Sequence, residues 1–204
     1  MEIKDTYKTI TKPSEGMLFK DKNSKFFGYA FPVLNEEDVK SQLETLKKEH
    51  HSARHWCYAY RLGKIENKQT YRANDDGEPS NSAGMPIYGQ LQSFDVTNTL
   101  IVVVRYFGGV KLGVSGLIKA YRTAAQMALE SSQIEERTIN TEYCISFAYK
   151  NMNKVMRILK EKKIIIVNQV LELDCNIYIS VRLKDAHAVF EIFKNQFEIK
   201  IEEV

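Results

Sequence analysis

The spacing of apolar positions changes several times along the chain, and each change predicts an element. Leu100 to Val104 is an unbroken, mostly β-branched apolar run. It is too short for a helix and apolar on both faces, which predicts a strand buried at the centre of a sheet. From Trp56 to Tyr60 the pattern alternates instead. Trp56, Tyr58 and Tyr60 share one face and Cys57 and Ala59 the other, so this is a strand with an aromatic side, and Trp56 is expected in the core. YKTIT (7–11) and KFFGYAFPV (25–33) read as strands, with the turn-rich DKNS just before the second. Helical spacing follows Asn35, an expected N-cap with Glu36, Glu37 and Asp38 in the first turn, Lys47 and Lys48 near the end, and a buried stripe of Val39, Leu43 and Leu46. A second helix carries Leu117, Tyr121, Ala124 and Ala128 on one face, with Ser115 as the expected cap. Residues 83–93 predict a short third helix despite Gly84, Pro86 and Gly89.

The last third has a regular rhythm: strand 139–149, helix 151–162, strand 164–173, strand 176–183, helix 185–196, strand 197–202. Two helices on one face of a four-stranded antiparallel sheet in the order βαββαβ is a ferredoxin-like unit. His187, on an amphipathic helix, reads as a surface histidine. Between the halves, SSQIEERT (131–138) is polar and short of large apolar residues, so the expected division is 1–132 and 138–204, and the fold class is α+β with two domains.

Composition narrows this picture only a little. A net charge of +3 permits contact with nucleic acid without requiring it. Cys57, Cys144 and Cys175 are odd in number and far apart, which argues against a disulfide framework or a zinc knuckle and for a reducing compartment. The first ten residues are charged, and no apolar run approaches the ~20 residues that span a bilayer. The expectation is a cytoplasmic protein with no membrane contact, no cofactor and no metal.

Candidate chemistry collects in two stretches. After the central strand, Gly108, Gly109, Gly113 and Gly116 fall within nine residues beside Arg105, Lys111, Lys119 and Arg122. A strand, a glycine-rich loop and a helix N-terminus with nearby cations have the parts of an anion or RNA-phosphate site. The pattern matches neither the P-loop nor the dinucleotide fingerprint. The second stretch joins Arg54 and His55 to Asp75, Asp76 and Glu78. A turn and a returning strand bring the acidic loop back beside His55, where the carboxylates either accept hydrogen bonds from Arg54, His55 and loop N–H groups or face a cleft. The sequence offers no evident nucleophile, and no catalytic residue is assigned.

RHWCYAYR, DDGEPSNSAGMPI and RYFGGVKLGVSGLIKAY together resemble the IMPACT family in its bacterial two-domain, YigZ-type form. The resemblance covers roughly residues 15–130 and continues more weakly to the carboxy terminus. It implies an N-terminal α+β domain similar to domain IV of elongation factor G and to the second domain of a small-subunit ribosomal protein, and a ferredoxin-like C-terminal domain similar to domain V of elongation factor G. The family's motif positions fall on Arg54 and His55, Asp75 to Pro79, Arg105 to Gly109, Lys111 to Gly113, and Gly116. Ser115 and Asn81 stand where the pattern has glycine. Eukaryotic members are linked to translational control through an additional N-terminal domain, and the partner reached through it is not expected here.

The leading expectation is a non-enzymatic protein that contacts RNA, the ribosome or translation factors, possible regulation of translation included. The alternatives are an enzyme acting on a small anionic substrate with a His/carboxylate site, and a protein-interaction module.

Overall fold

The unbroken apolar run is β6 (Thr99–Tyr106), the middle strand of a five-stranded, wholly antiparallel sheet. It is flanked by β3 (Ser24–Pro32) and β4 (His55–Leu62), with β2 (Met17–Asp21) and β5 (Thr70–Asn74) at the edges. Its double-sided apolarity has a direct cause. Ile101 and Val103 face one core, with α2 (Gly84–Ser93) and α3 (Gly113–Glu130), while Leu100, Val102 and Val104 face a second core that includes α1 (Glu36–Glu49). Burying each such side chain is worth about 1.5–3 kcal/mol before entropy.

In the computed structural model, residues 4–204 are described. The first three residues of the charged amino-terminal stretch lie outside them. The chain forms two compact units, one of Tyr7–Arg137 and one of residues 4–6 with Thr138–Val204.

In the first unit, α1 begins as expected. The Asn35 side chain accepts from the Asp38 N–H at 2.8 Å while the Asp38 carboxylate accepts from the Leu34 N–H at 2.7 Å, a reciprocal cap. At Gly28 on β3 the backbone of α3 comes so close that a Cβ would lie 2.2 Å from the Ala124 carbonyl oxygen, and the facing Ala124 and Ala128 complete the contact. The small residues of α3 therefore let it lie on the sheet, with Tyr121 edge-on to Phe26 at 5.2 Å.

Three expectations are corrected here. MLFKD, not read as a strand, is β2, because its backbone pairs residue by residue with β3. Ser115 does not cap α3; it lies inside the first turn, and the N-cap position is Leu112. Within the polar stretch between the halves, residues 134–138 form strand β7 (Ile134–Thr138), paired with β1 (Thr6–Ile10). Trp56 is only half-buried, its ring packed at the rim of the second core.

The second unit contains β8 (Asn140–Ala148), α4 (Met152–Glu161), β9 (Ile165–Val170), β10 (Asp174–Arg182), α5 (Leu183–Lys194) and β11 (Ile199–Glu203). The strand order β11-β8-β10-β9 is that of a ferredoxin-like sheet. Ile145, Ile177, Ile179, Val155, Leu159 and Phe193 form its core. Asp5 and Arg182 of this unit form an ion pair.

Candidate functional site

β5 pairs with β4 so that Asn74 lies opposite Tyr58, and the acidic loop then folds over the start of β4. Asp76, Gly77 and Asn81 all have positive φ, so the loop turns tightly, and Asn at 81 tolerates the left-handed conformation. Each carboxylate of the loop is occupied. One oxygen of Asp75 accepts from the N–H groups of Ala83 and Gly84 at 2.9 and 2.8 Å, and the other from the Asn81 N–H at 2.9 Å. Since α2 has no side-chain cap of its own, Asp75 supplies the negative charge at its N-terminus. Asp76 accepts from the Trp56 N–H at 2.7 Å, and its carbonyl accepts from Nδ1 of His55 at 2.8 Å.

The Glu78 side chain is almost fully enclosed, 5% exposed. Its Oε1 accepts from the Arg105 guanidinium at 2.6 Å and from the Tyr121 hydroxyl at 2.7 Å, with His55 Nε2 at 3.9 Å. Arg105 in turn lies between aromatic rings, its guanidinium carbon 5.5 Å from the centroids of both Phe26 and Phe107. Burial pushes the Cys57 thiol and the Tyr121 hydroxyl far above their ordinary pKa values, so both are neutral donors, and the thiol gives its hydrogen to the Asp75 carbonyl at 3.0 Å. The arrangement fixes a long loop against strand, helix and sheet.

The structure therefore brings together His55, Asp75, Asp76 and Glu78, and adds Arg105, Tyr121 and Cys57. Arg54 stays outside this network and is exposed. Arg105, expected on an anion-binding surface, is 5% exposed and held by Glu78. A cation at the end of an apolar strand reads as exposed in sequence; its burial follows from a carboxylate 27 residues away.

The glycine loop itself is open. Gly108 is a packing glycine, since a Cβ there would meet the Asn23 carbonyl carbon at 2.1 Å in the β2–β3 turn. Gly109 and Gly113 have positive φ with free space beyond them, and Gly116 packs on Leu112 within α3. Lys111, Lys119 and Arg122 are exposed, as are Phe107, Val110 and Val114.

Sheet register reveals further cations that periodicity could not. Lys20 of β2 lies opposite Lys25 of β3, Lys25 opposite Tyr106 of β6, and the Arg54 N–H bonds to the Arg105 carbonyl on the far side of β6. A row of Lys20, Lys25, Tyr106 and Arg54 thus crosses the end of the sheet from which the glycine loop leaves. Lys47 and Lys48 end α1 over this same face, with Lys47 5.8 Å above the Trp56 ring. All the cations of this row and of the α1 end are exposed.

The family model described as the Impact N-terminal domain matches residues 22–129. The chain is 34% identical over 161 residues to the IMPACT family member YvyE of Bacillus subtilis, covering 79% of this chain and 73% of that protein. It is 35% identical over 138 residues to the IMPACT family member YigZ of Escherichia coli, covering 68% of each. A crystal structure described as that of a hypothetical protein matches with a TM-score of 0.72 and 25% identity over 98% of both chains.

Proposed function

This chain belongs to the IMPACT family, and from that premise we propose that it is a cytoplasmic, non-enzymatic protein of the translation apparatus that grips RNA phosphates with one end of its first unit. The observation that carries the proposal is the cross-strand row Lys20, Lys25, Tyr106 and Arg54 beside the open glycine loop. Two lysines directly opposite one another repel, an arrangement that an isolated sheet does not favour and that a polyanion relieves. Exposed Phe107 and half-exposed Tyr106 add faces on which unpaired bases stack, which favours single-stranded over duplex RNA.

The acidic loop supports this reading from the other side. Its carboxylates are spent on backbone N–H groups, on Arg105 and on Tyr121, which suits a group that holds the loop in place. Three free cysteines and the lack of any helix in the described residues long and apolar enough to cross a membrane are compatible with a cytoplasmic site of action.

The test is binding of the full chain to single-stranded RNA across a salt series, with cosedimentation on ribosomal subunits at low salt. Affinity is expected to fall steeply with salt, and the Lys25→Ala/Arg54→Ala double variant to weaken binding equally on unrelated sequences while flattening the salt slope by roughly one unit per lost phosphate contact. Binding that is indifferent to salt, or unchanged in the folded double variant, overturns the proposal.

A further inference from the structure

β9 ends the carboxy-terminal sheet, and among the described residues no strand pairs with its outer edge. Natural edge strands are protected by charge, proline or cover. β9 reads Ile-Ile-Val-Asn-Gln-Val, with neither charge nor proline, and five of its six residues are exposed, Ile165 to 66%. Beside it runs an apolar groove of about 680 Å³ between α4 and the strand, lined by Met156, Leu159, Ile164 and Ile166 and rimmed by Arg157, Lys160 and Lys163. Directly after β9, Leu171 and Leu173 project into solvent on either side of Glu172, Leu173 being 89% exposed.

We propose that a second copy of the chain covers this edge, β9 against β9 and antiparallel, about a two-fold axis between Val167 and Asn168. The pairing with β10 supplies the reason. Ile166 lies opposite Ile179 and Asn168 opposite Tyr178, so Val167 is an extra, bulged residue. The bulge reverses the alternation of faces across it. Ile165 and Val170 therefore lie on one face, opposite Ser180 and Asn176, and Ile166 and Gln169 on the other, opposite Ile179 and Ile177.

An axis between Val167 and Asn168 sets those same-face residues against each other, 165 with 170 and 166 with 169. In a regular strand the same axis would oppose residues from different faces. Continued outward, the register places Ile164 against Leu171, and just beyond it brings the Lys163 turn of one copy beside Glu172 of the other at both ends. The strand is thus self-complementary in shape and charge, and the leucines that follow it are carried toward the groove of the other copy. Because the contact is isologous, it closes at two chains. The inference does not depend on the RNA reading, since every residue in it belongs to the second unit.

The experiment is sedimentation equilibrium of the full chain from about 1 to several hundred micromolar, a range suited to a small interface. A monomer–dimer equilibrium is expected, abolished in Ile165→Lys/Val170→Lys. Both side chains are exposed, so this variant keeps the wild-type circular dichroism spectrum. Lys163→Glu is expected to weaken dimerisation about tenfold by replacing two opposite-charge pairs with two like-charge pairs, and adding Glu172→Lys to restore it. A monomer throughout the range, a dimer that survives the double lysine variant, open-ended association, or a charge exchange that fails to restore pairing each overturns the inference.

Discussion

Glu78 and Arg105 hold each other at 2.6 Å with both side chains almost completely removed from solvent, and the pair joins the acidic loop to the last buried residue of the central strand. Tyr121 completes the join from α3. A buried pair of this kind gains little over an apolar substitute, but loses heavily when one partner is removed and the other stays charged. Glu78→Ala and Arg105→Ala are each expected to cost about 3–5 kcal/mol in urea unfolding. The double variant should cost clearly less than the sum, because neither charge is then left alone. Additive losses would mean that the two side chains act independently.

His50, at the end of α1, lies between two tyrosines, with the Tyr29 hydroxyl 2.7 Å from Nε2 and the Tyr106 hydroxyl 2.8 Å from Nδ1. Partial burial lowers its pKa below the ordinary 6.5, the nearby Glu49 opposing this only in part. The unfolded chain therefore binds more protons at this residue, so its contribution to stability is full above about pH 6.5 and is lost progressively as the pH falls from there through the lowered pKa of the folded state. Urea midpoints measured from pH 8 to pH 5 should fall, and in His50→Gln the fall should be shallower while the midpoint at pH 8 is already reduced. An equal slope in the variant would assign the pH dependence elsewhere.

The cysteines differ in surroundings. Cys57 is buried with its pKa raised by burial, Cys175 is buried as well, and Cys144 is half-exposed on the open face of the second sheet. Because the thiolate is the reactive form, a thiol reagent applied to the native protein should modify Cys144 first and Cys57 only on unfolding. Peptide mapping after brief alkylation checks this, and early labelling of Cys57 would show that the acidic loop opens readily.

Much of this architecture is written locally. β6 announces itself through an apolar run that needs two covered faces, α1 through Asn35 and Asp38, and the second unit through a rhythm of alternating and helical segments. The contact of His55 with the acidic loop also follows from chain length between them. Burial of Arg105 is not local, since it depends on Glu78 arriving from a loop whose own turns are set by positive φ at Asp76 and Gly77. The basic row was hidden for a similar reason. Lys20 and Lys25 sit in separate strands, and only the register of β2 on β3 makes them neighbours. A strand as short as β2 carries too few alternations to declare itself.

That register leads to a prediction in which stability and binding move in opposite directions. Lys20 and Lys25 are exposed and directly opposed, so their repulsion is screened by water and small, a few tenths of a kcal/mol. Replacing Lys20 with Glu converts the repulsion into an attraction across the strands, and the melting temperature should rise slightly at low salt and return toward the wild-type value at high salt. The same change puts a negative charge into the row that faces RNA in the proposed function, and affinity for single-stranded RNA should fall at low salt by more than Lys20→Ala lowers it. A like-charge pair kept only by chance would show the first effect without the second. If Lys20→Glu left RNA affinity unchanged while raising stability, the row would be excluded from the binding surface and Lys111, Lys119 and Arg122 would be the cations to test next.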